Sequence, residues 1–301
     1  MQRRDVLTGG LTVMGAAAFS GGVSAATSGP LMTRKIPSSG ESIPVIGLGT
    51  SGPFEVGGGA SERAPLKEVL EGFFAGGGRL IDTSPMYSTA PGVLGDLLAP
   101  PMHEKVFPAT KVWTRGEKSG IDQMTRSGQL MKQPKLDLIQ VHNLQDLDTH
   151  LKTLRSWKEQ GRVRHIGITH YTVGSHPELI RIIEREKLDF VQLNYSAVTR
   201  EGEQRLLPLP AERGVAVLVN RAFEDGALFD TVRGKPVPPW AAEFDAASWG
   251  QIFLKYVIAN PAVTCVIPAT GKLRHLEDNL AGGRGRLPDA KARAQIVQAL
   301  S

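Results

Sequence analysis

Cysteine is almost missing from this chain: Cys265 is its single thiol. One thiol cannot close a disulfide within the chain, and no Cys/His spacing offers a set of zinc ligands, so no metal site is expected. Its setting, Ala262-Val263-Thr264-Cys265-Val266-Ile267, is an apolar strand-like run, and Cys265 reads as core packing rather than as a nucleophile. Aromatic residues make up only 6% of the sequence, and no basic run is interleaved with them. The formal net charge of +5 is spread among acids, which argues against nucleic-acid binding and for a solvated basic surface that tolerates an anionic ligand. Internal repeats and low-complexity segments are missing too. The uncharged stretch at 8–25 is too short and glycine-rich for a stable membrane span.

What that stretch does resemble is an export signal. Arg3-Arg4-Asp5-Val6-Leu7 is a twin-arginine start, and Val23-Ser24-Ala25 supplies a small-x-small cleavage site. Residues 1–25 are therefore expected to be a twin-arginine signal peptide, read by the twin-arginine export machinery and delivering the protein to the bacterial periplasm. A disordered cytosolic extension is the alternative. A Pro/Ser/Gly-containing linker is expected at 26–36 and a single domain at 37–301.

With 41% hydrophobic and 22% charged residues, that domain is an ordinary globular protein. Strand and helix signals alternate along it, the pattern of a parallel sheet. Strands are expected near 46–50, 79–82, 106–111, 136–142, 163–168, 190–195, 215–219 and 263–267. Eight such units in one domain of about 250 residues predict an α/β fold, a (β/α)8 TIM barrel. Ser175-His176-Pro177-Glu178 and Ser248-Trp249-Gly250-Gln251 have the form of capping boxes before helices, and Pro288-Asp289 opens a terminal amphipathic helix. The Gly- and Pro-containing connection from Arg221 to Asp245 is expected to be a loop over the functional face.

Four polar residues stand at or just after the ends of separate expected strands. Asp82 closes Arg79-Leu80-Ile81-Asp82, and Tyr87 follows in Thr83-Ser84-Pro85-Met86-Tyr87. Lys111 ends Val106-Phe107-Pro108-Ala109-Thr110-Lys111, and His142 ends Leu136-Asp137-Leu138-Ile139-Gln140-Val141-His142. In a barrel these ends share one face, so an acid, a phenol, an ammonium and an imidazole would meet in one pocket. An ammonium beside a phenol lowers the phenol's pKa, and a carboxylate keeps the ammonium in place. Taken singly, each residue has a structural reading: Asp82 and Lys111 as an ion pair, Tyr87 as lid packing, His142 as a core histidine.

The four residues, with their spacing, resemble the aldo-keto reductase family. Ile43-Pro44-Val45-Ile46-Gly47-Leu48-Gly49-Thr50, Gly161-Arg162-Val163-Arg164-His165-Ile166-Gly167-Ile168, Val191-Gln192-Leu193-Asn194-Tyr195 and Ile267-Pro268-Ala269-Thr270 fall in the family's order. The resemblance implies hydride transfer between NADP(H), with NAD possible, and a small to medium aldehyde or ketone. It makes Tyr87 the general acid in reduction and the base in oxidation. Asp82, Lys111 and His142 complete the catalytic set.

For the cofactor, the resemblance implies contacts from Gly49, Thr50, Asp82, Thr169, His170, Gln192, Asn220, Arg221, Pro268, Thr270, Asp278 and Asn279. Several of these depart from the family's pattern. A Ser-Asn pair is replaced by Thr169-His170, and a ring-stacking Tyr by Asn220-Arg221. Arg221 fits either a pyrophosphate or a rim salt bridge. The 2′-phosphate clamp reads Ala269 and His275, leaving Lys272 and Arg274 as nearby substitutes or as solvated helix charges. Phe54, Trp113 and Asn143 are expected to line the substrate pocket, with Phe223 near its mouth, and the pocket to be wider and more polar than in familiar aldehyde reducers. A monomer is expected. The rival readings are an exported barrel that binds a nucleotide or carbonyl ligand without catalysis, and a barrel hydrolase or lyase using Lys111 and His142.

Overall fold

The computed structural model describes residues 29–300. The expected signal peptide, its cleavage site and the first residues of the expected linker lie outside the described residues. The rest of that linker differs from expectation. Thr33–Lys35 (β1) pairs antiparallel with Ser42–Pro44 (β2) in a hairpin.

Eight parallel strands follow: β3 (Leu48–Gly49), β4 (Leu80–Asp82), β5 (Phe107–Val112), β6 (Leu136–His142), β7 (Val163–Thr169), β8 (Phe190–Asn194), β9 (Ala216–Asn220) and β10 (Val263–Val266). They are hydrogen-bonded in sequence order, each within two residues of the expected bounds. Parallel bridges from Ile46 to Val266 and from Gly49 to Ala269 join the two ends of the sheet and close the ring. A Cβ on Gly49 would lie 2.7 Å from the Ile267 carbonyl oxygen, so glycine is what lets the closing backbones approach.

Helices alternate with the strands: α1 (Ala60–Ala75), α2 (Ala90–Leu97), α3 (Pro100–His103), α4 (Glu117–Leu130), α5 (Leu147–Glu159), α6 (His176–Arg185), α7 (Pro208–Arg213), α8 (Ala227–Thr231), α9 (Trp249–Ile258), α10 (Leu273–Gly282) and α11 (Ala290–Leu300). Leu66, Val69, Leu70 and Phe73 of α1 are buried at helical spacing. α9 is buried on every side because β10, α10 and α11 all pack on it. No helix among the described residues is long and apolar enough to cross a membrane.

Strand side chains alternate between two cores. Ile81, Ile139, Val141, Ile168, Val191, Leu193, Val217 and Val219 belong to the outer layer beneath the helices. Leu80, Phe107, Ala109, Leu138, Phe190, Ala216, Leu218 and Cys265 form the inner core, joined by Ile36 and Ile43 of the hairpin. The hairpin thus plugs the N-terminal end of the barrel. Arg34 pins it there by donating to the carbonyls of Ile258, Asn260 and Val263.

Two local expectations changed. Ser248 caps α9 by accepting from the Gln251 amide at 3.0 Å, but Ser175 does not cap α6. A 3-10 turn at Val173–Ser175 runs directly into that helix, and the Ser175 hydroxyl is spent on His170 and Thr172. The connection after β9 is only partly a loop, since it contains α8 and a 3-10 helix at Pro239–Phe244.

Candidate active site

Asp82 and His142 are the last residues of β4 and β6, and Lys111 is the penultimate residue of β5. Parallel register sets Asp82 beside Ala109, Lys111 beside Gln140, and His142 beside Thr169. Because Ala109 and Lys111, like Gln140 and His142, are two residues apart, all face inward. The inner face that is apolar low in the barrel is therefore polar at the C-terminal end. A tight turn after β4 brings Tyr87 back over it, with the Tyr87 amide donating to the Ser84 carbonyl at 3.0 Å.

Lys111 is fully buried. Its ammonium donates to Asp82 Oδ2 and, at 2.9 Å, to the Thr83 carbonyl. The same ammonium lies 4.8 Å from the centre of the Tyr87 ring, which stands edge-on to the His142 ring at 6.1 Å. The other carboxylate oxygen, Asp82 Oδ1, accepts from Gln140 Nε2 and Gln192 Nε2, each at 3.1 Å. Ser84 Oγ sits 3.1 Å from His142 Nδ1. Sequence reasoning missed Gln140 and Ser84. Gln140 had a signal, since it lies two residues before His142 on the same strand face. Ser84 had none, because its partner His142 lies 58 residues further along the chain on another strand.

Charge follows burial and pairing. Burial lowers the Lys111 pKa, but Asp82 and Tyr87 outweigh it and the ammonium is held above its usual range. Burial raises the Tyr87 pKa; Lys111 opposes this while Asp82 adds to it, and the net shift is upward. The sequence suggested a lowered phenol, but the dry pocket and the nearby carboxylate outweigh the ammonium. Burial first, then Lys111 and His170, push His142 down to about 3, so its imidazole is neutral near pH 7.

A cavity of about 690 Å³ opens above this centre, within the usual range for a ligand pocket. Of the expected site residues, Gly49, Thr50, Asp82, Tyr87, Trp113, His142, Asn143, Thr169, Gln192, Asn220, Arg221 and Pro268 line it, with Phe223. Trp113 is held through its backbone, which bonds the Gln123 side chain at both N–H and C=O. Phe54 does not line the cavity; it is fully buried in the outer core. His170 also falls outside. Its ring stacks on Tyr171 and bonds to Ser175 and Thr172, and Tyr171 takes the place at the wall. Met86 and Phe229 line it as well, and these two with Tyr171 are exposed, so the rim is more apolar than expected.

Arg221 forms the rim salt bridge, 2.7 Å from Asp225. Asp278 is occupied structurally, accepting from Ser248 Oγ at 2.7 Å and Gln251 Nε2 at 2.8 Å. Thr270 and Asn279 are buried outside the cavity wall. Lys272 precedes α10 and Arg274 lies in its first turn, both exposed. After burial, Arg274 and Lys272 hold the neighbouring His275 below its ordinary pKa, a sign of local positive potential.

Buried atoms left without a hydrogen bond include Asn143 Oδ1, Asn220 Oδ1 and Arg221 Nε, all on cavity-lining residues. Such orphans cost free energy unless a ligand pairs with them. Two amide acceptors and a guanidinium donor suit a ligand bearing both amide and anionic groups.

Fold and site together define a (β/α)8 barrel with an acid–base centre at the C-terminal ends of its strands. The sequence model of the aldo/keto reductase family matches residues 45–296, and the chain belongs to that family. An NADH-specific methylglyoxal reductase from Escherichia coli (strain K12) is 27% identical over 227 residues, 64% of this chain and 68% of the relative. An uncharacterised oxidoreductase of Schizosaccharomyces pombe is 26% identical over 149 residues, 48% of this chain. The chain spans 46% of that protein's length. A solved aldo-keto reductase from Klebsiella pneumoniae in complex with NADPH has a TM-score of 0.72 at 22% identity, over 89% of this chain and 95% of that one. This likeness shows the fold.

Proposed function

We propose that the protein is an oxidoreductase that reduces an aldehyde or ketone with NADP(H), Tyr87 acting as general acid. The observation that carries this reading is the buried Lys111–Asp82 pair beneath the Tyr87 ring, with Tyr87 and His142 on one cavity wall. The raised phenol pKa keeps Tyr87 protonated at neutral pH, as a donor must be. As its proton passes to the carbonyl oxygen, the phenolate left behind is stabilised by the Lys111 ammonium, which Asp82 and the Thr83 carbonyl hold in place. Neutral His142 hydrogen-bonds the same oxygen and fixes its direction.

The dinucleotide, when bound, supplies the hydride to the carbonyl carbon. Gln192, Asn220, Asn143 and Thr169 would hold its nicotinamide end, Arg221 its pyrophosphate, and Lys272 with Arg274 a 2′-phosphate. NADP is favoured by that positive cluster beside α10, and NAD is the alternative. The lyase reading fits less well. A Schiff-base lysine must shed its proton, whereas Lys111 is held charged by a carboxylate.

The twin-arginine start supports export to the periplasm, with the cofactor acquired by the folded chain before it crosses the membrane. Titrating the purified protein with NADPH and NADH by cofactor fluorescence, followed by a carbonyl panel that includes methylglyoxal, tests the proposal. Saturable binding with turnover supports it. Binding without turnover favours the non-catalytic barrel, and no binding by folded protein rejects the dinucleotide reading.

A further inference from the structure

Ser84 is fully buried, and its hydroxyl is the only side-chain group bonded to the His142 imidazole among the described residues, 3.1 Å from Nδ1. Its position is fixed from both sides. The Ser84 carbonyl accepts from the Tyr87 amide, and Ser84 Oγ accepts from the Met86 amide at 3.2 Å. A hydroxyl has one proton to give and two acceptor sites. The Met86 amide fills one acceptor site, and no acceptor other than Nδ1 is bonded to Oγ. If Nδ1 carried a proton, Ser84 would accept twice and its own O–H would be buried with no acceptor, an arrangement folded proteins avoid.

We infer that Ser84 is a positioning residue that locks His142 in the tautomer with Nδ1 as acceptor and the proton on Nε2. The cavity-lining imidazole then donates to the substrate oxygen rather than opposing it with a lone pair. The lock also directs the acid. A protonated Nε2 cannot accept from the Tyr87 hydroxyl, so the phenol proton has the substrate oxygen as its target. One serine would thus organise the turn that carries the acid and set the polarity of the imidazole beside it. The titratable groups that act on His142 are Lys111, which is paired with Asp82, and His170, the residue after β7, whose own pKa is lowered by burial. The catalytic meaning of the tautomer rests on the proposed reductase reading; the tautomer itself does not.

The experiment is a long-range 15N–1H correlation spectrum of the imidazoles at neutral pH, on wild-type protein, Ser84→Ala and Ser84→Thr. His142 signals are assigned by their loss in His142→Gln. The expected wild-type pattern is a pyrrole-type shift for Nε2 and a pyridine-type shift for Nδ1. Ser84→Ala should move both toward a tautomer average and lower kcat roughly tenfold with little change in KM, and Ser84→Thr should restore the wild-type pattern. A wild-type His142 protonated on Nδ1 overturns the inference, as does a Ser84→Ala spectrum identical to wild type. If Ser84→Ala fails to fold, the wild-type spectrum still decides. The expected tautomer in a protein that reduces no carbonyl would sink the functional proposal and leave the lock standing.

Discussion

The two ends of the barrel interior are built from the same strands and face the same axis, yet they are different materials. The lower end is packed hydrocarbon: Leu80, Phe107, Leu138, Phe190 and Leu218 meet Ile36 and Ile43 of the plugging hairpin. One polar ring intrudes there. His165 is stacked on Phe107 at 5.8 Å and edge-on to Phe190 at 5.5 Å, with its Nδ1 4.0 Å from Asp189 Oδ1. The upper end is a connected polar network in which Asp82 receives Lys111, Gln140 and Gln192. Moving two to four residues along a strand changes the surroundings from apolar contacts to charge and hydrogen bonds. The lower end supplies cohesion, and the upper end gathers the polar groups of the candidate site, with orphaned acceptors at Asn143 and Asn220.

That division can be broken from either side. The largest effect is expected at the top: Tyr87→Phe should lower single-turnover reduction by about 10³-fold or more while cofactor affinity and the unfolding midpoint hold. Turnover within tenfold of wild type would remove Tyr87 as the acid. At the bottom, Phe107→Ala should cost about 3–5 kcal/mol of stability in urea titrations without changing cofactor affinity per folded molecule. An equal loss of affinity would show that the two ends are coupled rather than separate.

A subtler probe is pH. His142 prefers its neutral form in the folded chain, with a pKa of about 3 against an ordinary 6.5, so below pH 6.5 the unfolded state binds more protons at this site. Its contribution to stability is fully present above pH 6.5 and is lost progressively as pH falls toward 3, by at most about 1.4 kcal/mol per pH unit. Unfolding midpoints measured from pH 7 to 5 should therefore fall less steeply in His142→Gln than in wild type. Parallel slopes would mean that the site opens to water. The smallest effect belongs to the rim. Lys272→Ala or Arg274→Ala should weaken NADPH relative to NADH by roughly two- to fivefold, and less at high salt, because both side chains are exposed. An unchanged ratio would leave them as solvated helix charges.

Legibility in the sequence followed how local each cause is. The strands were readable because alternation and strand ends are local patterns, and Asp82, Lys111 and His142 were readable because each closes such a run. The Ser248 cap was readable as well. Ser175 carried the same signature and misled, because the hydroxyl found a better partner in His170 across the loop. His170 and Asp278 were assigned to a cofactor by position along the chain, but their side chains are bonded to Ser175 and Thr172, and to Ser248 and Gln251.

The sequence by itself determined the order of strands and helices, the face on which each strand side chain falls, and the presence of an acid, a phenol, an ammonium and an imidazole at strand ends. Those follow from backbone periodicity, which each segment carries within itself. Only the tertiary structure decided that the ammonium is wholly buried against Asp82, that the Tyr87 phenol is shifted up rather than down, that Ser84 meets His142, and that Phe54 belongs to the core. Desolvation and hydrogen-bond pairing depend on which atoms from distant segments exclude water around a group, and no run of neighbouring residues encodes that.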